Sequence, residues 1–564
     1  MAGASRTVEH LGDLVRARVT AIGIESHDEE RITRIIGELA VERKKALVVY
    51  SITWGFRQQH PLPGAGEPFI PALGEGHEQE DAIFMPPIAL MSIPSRKEVD
   101  WEWDETKNGG KGGLRSASRG KSSEDVIYLI KDMHHFLADA KTLRAIRDLC
   151  RALVASRKTL IFLSPSLNAP HSSKLPADIE KELELIRFPY PNKEELEWLV
   201  RDAMKGVEVP VNLSDSEVDE LASALQGLTE TEAEKTLRLA MIIKRELSIS
   251  ALPIVLQEKD QIVAKAGRLE PVTSVPLDQI GSLECIRDFM DEQERNSSPE
   301  AVEFLGGLAE DMPKGFLAVG HPGTGKSLVA KAAGGRSRKV WRLDISKIYE
   351  SLVGSSERNL VEALRLAEAM GVTLWIDEIE KLFGQGLGQE QNGGISDRLL
   401  GIFLTWMQEQ TSCFVVATAN SIRGLPGALL RRFDVIFFVD LPTQRGREDI
   451  LAVHLRKRKR NPESFDIKLI AQHMKGYSGA EIERVVRFGL SNAWKAKREL
   501  DTDLLQEAVT KVVPMSKTQK ELIEQLRQDM LARDTRPASY SEEEEAAPVA
   551  SGAKASGKFQ IDLS

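Results

Sequence analysis

A glycine-rich loop in the second half of the chain offers the clearest chemistry in the sequence. It matches the pattern G-x-x-x-x-G-K-[ST] in full, after the apolar stretch 316–319 and before the helical pattern 327–333. Such a loop lets backbone N–H groups converge on phosphate oxygens, and the positive end of the following helix favours the same anion. The loop comprises Gly320, His321, Pro322, Gly323, Thr324, Gly325, Lys326 and Ser327. A glycine-rich turn that matches by chance is the alternative, and the flanking strand and helix patterns argue against it.

The side chains of this loop, and two carboxylates further along the chain, have separate expected tasks. The Lys326 ammonium is expected to reach the β- and γ-phosphates of a nucleotide, and the Ser327 hydroxyl to ligate Mg²⁺. Asp377 and Glu378 follow the apolar pattern 372–376, where two carboxylates are costly to bury unless a cation or a reactive water needs them. Asp377 suits the surroundings of the Mg²⁺, and Glu378 suits a general base that polarises the attacking water. An acidic strand end in solvent is the alternative, but together with the complete loop the pair predicts hydrolysis of a nucleotide such as ATP.

Length and composition indicate a soluble protein of several domains. The chain has 564 residues, of which 42% are apolar and 28% charged, as in ordinary soluble domains. No apolar run approaches the ~18 residues of a membrane span, and the N-terminus lacks the apolar core of a signal peptide. The three cysteines, Cys150, Cys285 and Cys413, have no metal-binding spacing. They are expected to be reduced thiols, and the protein is expected to be cytoplasmic, with no membrane span.

The charge balance bears on possible partners. The formal net charge of −10 opposes general binding to nucleic acid. The basic run 456–460 is the exception. It either contacts phosphates or forms the solvated end of a helix, and the second interpretation is favoured.

The alternation of apolar and amphipathic segments predicts the domain organisation. Strand patterns separated by helical ones imply a parallel sheet wrapped by helices, and they lie at 340–345, 372–376, 414–418 and 435–439. Five segments are expected, namely an N-terminal domain at 1–250 with a flexible insert at about 58–124, a linker at 251–275, the α/β core at 276–442, a helical lid at 443–530 and a disordered acidic tail at 531–564.

The N-terminal half contains a segment that is similar in sequence to part of the α/β core. Residues 126–137 align without a gap to residues 372–383, which indicates a duplicated domain, although two unrelated α/β units are the alternative. In this copy Lys131 stands where Asp377 would hold Mg²⁺. The acidic segment 25–30 replaces the phosphate-binding loop and would repel phosphate. The first half is therefore expected to bind no nucleotide.

Several motifs of the C-terminal half together resemble the AAA ATPase family. Segment 278–281 resembles the family's adenine-adjacent segment, which assigns Ile280 and Gly281 to the nucleotide, and Asn420 matches the position whose amide orients the attacking water. Segment 429–434 resembles the arginine-finger segment, with Arg431 and Arg432 acting on the site of a neighbouring subunit. Segment 476–481 resembles the lid motif, in which the backbone of Gly479 and Ala480 faces the nucleotide. The resemblance implies a P-loop NTPase (AAA+) parallel sheet with a C-terminal helical lid, preceded by a degenerate AAA-like α/β domain.

The motifs at 374–381 and 405–409 more closely resemble the chloroplast- and cyanobacteria-type hypothetical-open-reading-frame (ycf-type) AAA proteins, which also have a degenerate first half. Two departures from AAA patterns stand out. Leu352 occupies the aromatic position of the substrate-gripping loop, and segment 479–481 lacks the arginine that many AAA+ relatives outside this family carry there.

The resemblance implies a ring-forming, Mg²⁺-dependent ATPase, a hexamer, that remodels a protein client, with the N-terminal half as adaptor or platform. A slow, ATP-switched regulatory scaffold is the alternative function, and a nucleic-acid remodelling ATPase is the third.

Overall fold

The computed structural model divides the chain into two compact units. Unit 1 comprises Met1–Glu270 and Asp344–Gly371, and unit 2 comprises Pro271–Leu343 and Val372–Ser564. The structure describes residues 2–51, 55–60, 100–104, 113–117, 125–154, 157–165, 167, 175–205, 210–265, 267–296, 304, 313–334, 338–349, 355–383, 393–533 and 535–540. No helix within those ranges is long and apolar enough to cross a bilayer.

Unit 1 begins with a six-stranded sheet in the order β3-β2-β6-β7-β1-β8, and all of its pairings are parallel except that between β2 and β3. Its strands, with the separate hairpin β4–β5, are β1 Ala21–Glu25, β2 Ala46–Ser51, β3 Gly55–His60, β4 Asp100–Asp104, β5 Gly113–Ala117, β6 Val126–Lys131, β7 Thr159–Ser164 and β8 Glu184–Arg187. Helices α1 (Ala2–Arg16) and α2 (Glu29–Glu42) cover one face, and α3 (Ala140–Leu153) covers the other. Because both faces are buried, the central strands are continuous apolar runs.

A helical bundle completes unit 1. Its elements are α4 Lys193–Lys205, β9 Val211–Asn212, α5 Asp215–Leu225, α6 Glu230–Lys244, β10 Leu247–Ser248 and α7 Leu252–Lys265. Unit 1 also contains two helices from later in the chain, α10 Ile345–Tyr349 and α11 Ser355–Met370. The fully buried Arg31 of α2 ties the sheet to this bundle, because its Nη2 lies 2.8 Å from Glu195 Oε2 and its Nη1 donates to Pro189 O at 2.7 Å.

Unit 2 is built on a seven-stranded sheet in the order β11-β13-β14-β15-β12-β16-β17. The strands are β11 Leu269–Pro271, β12 Gly315–Gly320, β13 Val340–Leu343, β14 Thr373–Ile376, β15 Phe414–Ala419, β16 Val435–Val439 and β17 Arg536–Pro537. Helices of the α/β part are α8 Glu284–Asn296, α9 Lys326–Ala332, α12 Glu380–Phe383, α13 Gly393–Glu409 and α14 Gly427–Leu430. The helical lid and C-terminal helices are α15 Gln444–Lys457, α16 Ile467–His473, α17 Gly479–Lys495, α18 Thr502–Lys511, α19 Met515–Thr518 and α20 Lys520–Leu531.

The predicted fold class is confirmed. Pairings among β12–β17 are all parallel, helices connect the strands, and the helical lid has its own apolar core. Unit 1 repeats the same central strand order, as expected for an AAA-like copy.

Three segments differ from the expectations. The segment 251–275, expected to be a linker, contains α7, because Leu252, Val255 and Ile262 have helical spacing and pack into the core of the bundle. The insert 58–124 contains the antiparallel hairpin β4–β5, whose two-residue repeat of Trp101 and Trp103 is a strand signal that we missed. Its other residues, apart from 58–60, lie outside the described ranges.

The tail 531–564 was expected to be disordered, but its first residues are ordered. Residues 535–540 form what we name the C-terminal strap, which includes β17. The Ala538 N–H donates to Phe438 O at 2.9 Å, and Ala538 is buried. Backbone pairing to the edge of the sheet orders this segment despite its polar composition. Residues 541–564 lie outside the described part of the chain.

Candidate functional site

The phosphate-binding loop joins β12 to α9 at the carboxyl edge of the unit 2 sheet. Gly323 and Gly325 have φ angles of 81° and 105°, which are left-handed conformations that glycine adopts without strain. A Cβ on Gly323 would lie 2.9 Å from the Ala480 Cβ, so only glycine fits this approach of the lid. The first N–H groups of α9 have no intrahelical partner, which leaves them to bind an anion.

Lys326 lies inside this loop. Its side chain is only 7% exposed, and its Nζ donates to the carbonyl oxygens of Gly320 and His321, both at 2.7 Å. Burial lowers the pKa of Lys326 to about 8, although the nearby carboxylates of Glu380, Asp377 and Glu378 oppose that effect. The loop therefore holds a cation whose hydrogen-bond partners, among the described residues, are backbone carbonyls.

The other loop residues support this arrangement. Thr324 Oγ1 donates to His321 O at 2.8 Å and closes the turn. The imidazole of His321 is buried, and burial lowers its pKa, so the ring is neutral at pH 7. Pro322 is exposed.

Asp377, at the end of β14, lies close to the loop. Ser327 Oγ donates to Asp377 Oδ1 at 3.4 Å, and Thr418 Oγ1 donates to the same oxygen at 2.6 Å. A hydroxyl and a carboxylate oxygen fit Mg²⁺, which prefers oxygen ligands and takes the rest from phosphates and water. Within the described residues no group of three or more His, Cys, Asp or Glu side chains could hold a metal by itself. The donor set therefore suits a Mg²⁺ that arrives with a nucleotide.

Glu378 is held from three sides. Its backbone is left-handed, with φ 52°, and its N–H donates to Thr418 Oγ1 at 3.1 Å. Asn420 Nδ2 donates to Glu378 Oε1 at 3.1 Å, and the Lys381 ammonium pairs with Oε2. The Lys381 ammonium, followed by the Asn420 amide, lowers the pKa of Glu378, so the carboxylate is ionised at neutral pH. An ionised and oriented carboxylate can accept a proton from water.

The segments that resemble the adenine-adjacent and lid motifs also meet here. Ile280 is buried, and a Cβ on Gly281 would lie 2.5 Å from the backbone N of Ile450 in the lid helix α15. The Ala480 N–H donates to Gly323 O at 3.1 Å, and Gly479 approaches the same carbonyl. The structure therefore places the lid segment against the phosphate-binding loop and the adenine-adjacent segment against the lid helix α15.

The two predicted finger arginines differ in their surroundings. Arg431 is exposed, and its guanidinium makes no hydrogen bond or ion pair with any described residue, although its backbone N–H donates to Gly427 O at 3.3 Å. Arg432 is partly buried, and its Nη2 donates to Gln408 Oε1 of α13 at 2.9 Å. Arg431 is therefore the one whose guanidinium is available to another molecule.

Sequence reasoning missed several residues of the site. Thr418 hydrogen-bonds both Asp377 and Glu378, and Lys381 pairs with Glu378. Glu380 Oε1 accepts the Asn420 N–H at 2.9 Å. A signal existed for Thr418, because it is the only polar residue in the otherwise apolar strand β15. Lys381 had no comparable signal, since its pairing depends on the turn after β14.

Two other predicted features lie apart from the site. The basic run ends α15, and two of its arginines pair with carboxylates of the lid, Arg458 with Glu483 at 2.8 Å and Arg460 with Glu499 at 3.4 Å. These pairs support the interpretation as a helix end. The segment Leu352, Val353 and Gly354 lies outside the described residues.

The corresponding edge of unit 1 has the opposite chemistry. Lys131, at the end of β6, donates to Glu29 Oε1 at 2.7 Å, and Glu25 accepts from Arg187 Nε at 2.9 Å and from the Leu167 N–H at 3.0 Å. The carboxylates of Glu25 and Glu29, which pair within the protein, occupy this edge.

Comparisons with known proteins agree with this geometry. The model of the ATPase family associated with various cellular activities (AAA) matches residues 316–441. The models of the SpoVK-like AAA ATPase N-terminal domain and second domain match residues 7–188 and 194–266. The AAA domain-containing protein ycf46 of Pyropia yezoensis is 34% identical over 408 residues, which cover 71% of this chain and 80% of that relative.

The chain belongs to the ycf46-type AAA ATPases. Its ycf46 relative in Guillardia theta is 30% identical over 472 residues, which cover 80% of this chain and 90% of that protein. The proteasome-activating nucleotidase of Aeropyrum pernix is 34% identical over 214 residues, 36% of this chain and 52% of the relative. The family models thus match both halves of the chain, whereas the similarity to the proteasome-activating nucleotidase covers about a third of it.

Proposed function

We propose that this AAA protein hydrolyses Mg²⁺-ATP at the carboxyl edge of the unit 2 sheet. The observation that carries the proposal is the Thr418-centred network, which orients Asp377 and Glu378 beside the phosphate-binding loop. A protein that only binds nucleotide needs the loop, but it does not need an ionised carboxylate oriented by an amide.

Each residue has a role that follows from its contacts. Lys326 leaves the carbonyls of Gly320 and His321 to bind the β- and γ-phosphates. Ser327 and Asp377 hold Mg²⁺, which neutralises phosphate charge when bound. Glu378 takes a proton at its carboxylate from the attacking water, and Asn420 orients that carboxylate. Ile280, Gly281, Gly479 and Ala480 enclose the rest of the nucleotide.

The site is completed by a neighbouring subunit in a ring, and family resemblance supports a hexamer. Arg431 supports this part of the proposal because its guanidinium is exposed and unpaired among the described residues. An arginine supplied in trans stabilises the charge of the transition state. Arg432 supports the segment through Gln408 and acts as the second candidate finger.

The ATPase cycle remodels a protein client, with unit 1 as adaptor or platform. A slow, ATP-switched scaffold is the second candidate function, and the observation that favours it is aliphatic Leu352 at the gripping position. A nucleic-acid remodelling role has less support, because the basic run is partly paired within the lid. The cytoplasmic location expected from the cysteines stays a prediction.

The decisive experiment compares Glu378→Gln with Glu507→Gln. Glu507 also pairs with a lysine, Lys511, one turn away, but on a lid helix. Glu378→Gln is expected to bind ATP normally and to lose ~10²–10⁴ of its turnover, the range for a general base. Glu507→Gln is expected to match the wild type. Near-normal turnover of Glu378→Gln at saturating ATP would refute the assignment of the base.

The same variant helps to distinguish a motor, which remodels a protein client, from a switch, the slow ATP-dependent scaffold. Held in the ATP state, Glu378→Gln should retain a client in affinity capture. The captured protein is then added to the wild type. A motor accelerates ATP hydrolysis several-fold, whereas a switch keeps a constant slow rate.

A further inference from the structure

A cluster of basic side chains lies at the edge of the unit 1 sheet where the central strands begin. It surrounds a cavity of about 230 Å³, lined by Arg16, Arg18, Arg43, Lys45, Arg157 and the single carboxylate Asp125. These residues end α1 or α2, or come just before β1, β2, β6 and β7. Because those strands are parallel, this edge is opposite the carboxyl edge that holds the acidic segment 25–30. The cavity is therefore separate from the degenerate copy of the nucleotide site.

The positive charge of this cavity, which we name the basic cavity, is only partly balanced. Three of its arginines have a carboxylate nearby, Arg16 with Asp13 at 3.2 Å, Arg43 with Glu42 at 3.3 Å and Arg157 with Asp125 at 3.6 Å. Arg18 makes no ion pair with any described residue, and Lys45 Nζ donates only to the Arg157 carbonyl, at 2.9 Å. With five cations and three nearby carboxylates, the cavity has an excess of two positive charges.

The side chains around the cavity show the consequences of this imbalance. Burial lowers the pKa of Lys45, and the charges of Arg18 and Arg157 act in the same direction against the single carboxylate of Asp125. Arg43 Nε is buried without a hydrogen-bond partner in the described part of the chain. An anion in the cavity would satisfy both the donor and the excess charge.

One of the residues that line the cavity, Arg18, has a left-handed backbone. Arg18 has φ 62°, a left-handed conformation in which glycine would be easier to accommodate than arginine. Lys44 has a similar φ of 53° but does not line the cavity. Both residues lie in the left-handed turn that commonly ends a helix, in which the Val19 N–H donates to Leu14 O at 3.0 Å and the Lys45 N–H donates to Ala40 O at 2.8 Å.

We propose that the basic cavity binds a compact phosphate-bearing anion, such as a diphosphate or a small phosphorylated metabolite. Guanidinium groups bind phosphate oxygens in pairs through their planar forks. A phosphate ester carries a charge of about −1.5 to −2 at pH 7, which matches the two uncompensated cations. The cavity is smaller than the 300–1,000 Å³ typical of drug-sized ligands, which favours a compact anion over a complete nucleotide. The proposal does not depend on the ATPase assignment.

The test uses the full chain with Lys326→Ala, which removes phosphate binding at the other loop, and inorganic pyrophosphate as the probe. Calorimetry is expected to show binding that sodium sulfate at equal ionic strength does not reproduce. Arg18→Gly combined with Arg157→Gln is expected to weaken this binding by about tenfold or more, since two guanidinium contacts are removed. Equal affinity in the parent and the double variant would overturn the proposal.

Matched controls separate binding from folding. Lys44→Gly removes a cation from a left-handed position without touching the cavity, and Arg144→Gln removes an exposed arginine from α3. Both are expected to bind pyrophosphate as the parent does. Arg18→Gly alone is expected to keep or raise the melting temperature while it weakens binding, because glycine relieves the strain. A short single-stranded oligonucleotide is tested in the same way. If it binds more tightly than pyrophosphate, and if the double variant loses that binding, the ligand of the cavity is nucleic acid and the proposal of a small anion is wrong.

Discussion

The two α/β units share a framework and differ in the chemistry at its edge. The order β2-β6-β7-β1-β8 in unit 1 repeats the order β13-β14-β15-β12-β16 in unit 2. Even a local irregularity is repeated, because Asp132 after β6 and Glu378 after β14 are both left-handed, with φ 57° and 52°. Yet the loop 320–327 of unit 2 presents N–H groups and a lysine, whereas the corresponding segment 25–30 of unit 1 presents carboxylates.

The difference shows which contacts hold the fold and which do the chemistry. Buried apolar strands and helices form the core in both units, and none of the phosphate-binding residues is needed for it. In unit 1 the edge has been neutralised internally, since Lys131 pairs with Glu29 and Arg187 with Glu25. A loop can therefore lose its ligand chemistry while the sheet beneath it stays intact.

Complete loss of nucleotide binding in Lys326→Ala would be the strongest support for this contrast. Wild-type protein is expected to bind one ATP per chain, and Lys326→Ala none, because Lys326, held in the loop of unit 2, is the ammonium proposed to bind the phosphates. Equilibrium titration with stoichiometry determination measures both. One remaining site in Lys326→Ala would mean that unit 1 binds nucleotide and that the comparison is wrong. Lys131→Ala is the matched control, and it should leave the stoichiometry at one.

Arg431→Ala tests whether unit 2 depends on a second subunit. Hydrolysis is expected to fall by ~10³ or more with little change in ATP affinity, the effect of losing an arginine finger. Lys181 is the counterpart in unit 1. The dipeptide Leu175-Pro176 of unit 1 matches Leu425-Pro426 of unit 2, and Lys181 follows the first dipeptide at the same distance as Arg431 follows the second. Lys181→Ala should therefore leave the rate unchanged.

Mixing provides the second part of this test. Arg431→Ala subunits still carry an intact loop and Glu378, and Glu378→Gln subunits still carry Arg431. A mixture should recover part of the activity where the two intact halves meet. Activity no higher than the sum of the separate variants would count against a shared site.

Much of this contrast between the two units could be predicted from the sequence, whereas some of the contacts could not, for physical reasons. Short local motifs are visible in a single sequence. They include the phosphate-binding loop, the Asp377–Glu378 pair and the absence of both from unit 1. The hydrogen bonds of Thr418 and the pairing of Lys381 depend on how neighbouring strands align, which a single sequence does not encode visibly. The order of the C-terminal strap could not be predicted for the same reason, because its strand β17 pairs with β16, which is far away in the sequence.

The pH dependence of ATP affinity sharpens the comparison further. Lys326 has a pKa lowered to about 8, so below pH 8 it is charged and attracts phosphate, and above pH 8 it becomes neutral in the nucleotide-free protein. Between pH 7 and pH 9 the affinity is expected to fall by roughly tenfold, the loss for one group deprotonating over that interval. Binding at pH 8.5 should take up protons, which calorimetry in two buffers of different ionisation enthalpy detects. The Lys131→Ala protein should follow the same profile, and a flat profile would contradict the role of Lys326.

The smallest expected effect concerns the C-terminal strap, which holds Ser282 and Leu283, next to Gly281, in place. Ser539 Oγ accepts the Leu283 N–H at 3.0 Å and lies 2.8 Å from Ser282 Oγ. Ser282 and Leu283 both have φ 70°, and Leu283 Cδ1 lies 3.5 Å from the position of a Cβ on Gly325. The strap thus supports a left-handed backbone whose Leu283 side chain lies beside the phosphate-binding loop.

Removal of residues 535–564 is therefore expected to weaken ATP binding, whereas removal of residues 541–564 retains the strap and should not. A loss of about 1 kcal/mol, the net worth of one hydrogen bond, corresponds to roughly fivefold in affinity. Ser539→Ala should produce most of this loss with a smaller effect on the rate at saturating ATP, because the strap touches neither Glu378 nor Asn420. Fluorescence titration with a labelled ATP analogue measures the affinities. If both truncated proteins bind ATP equally well, the strap stabilises the edge of the sheet alone, and the nucleotide site of unit 2 is complete without it.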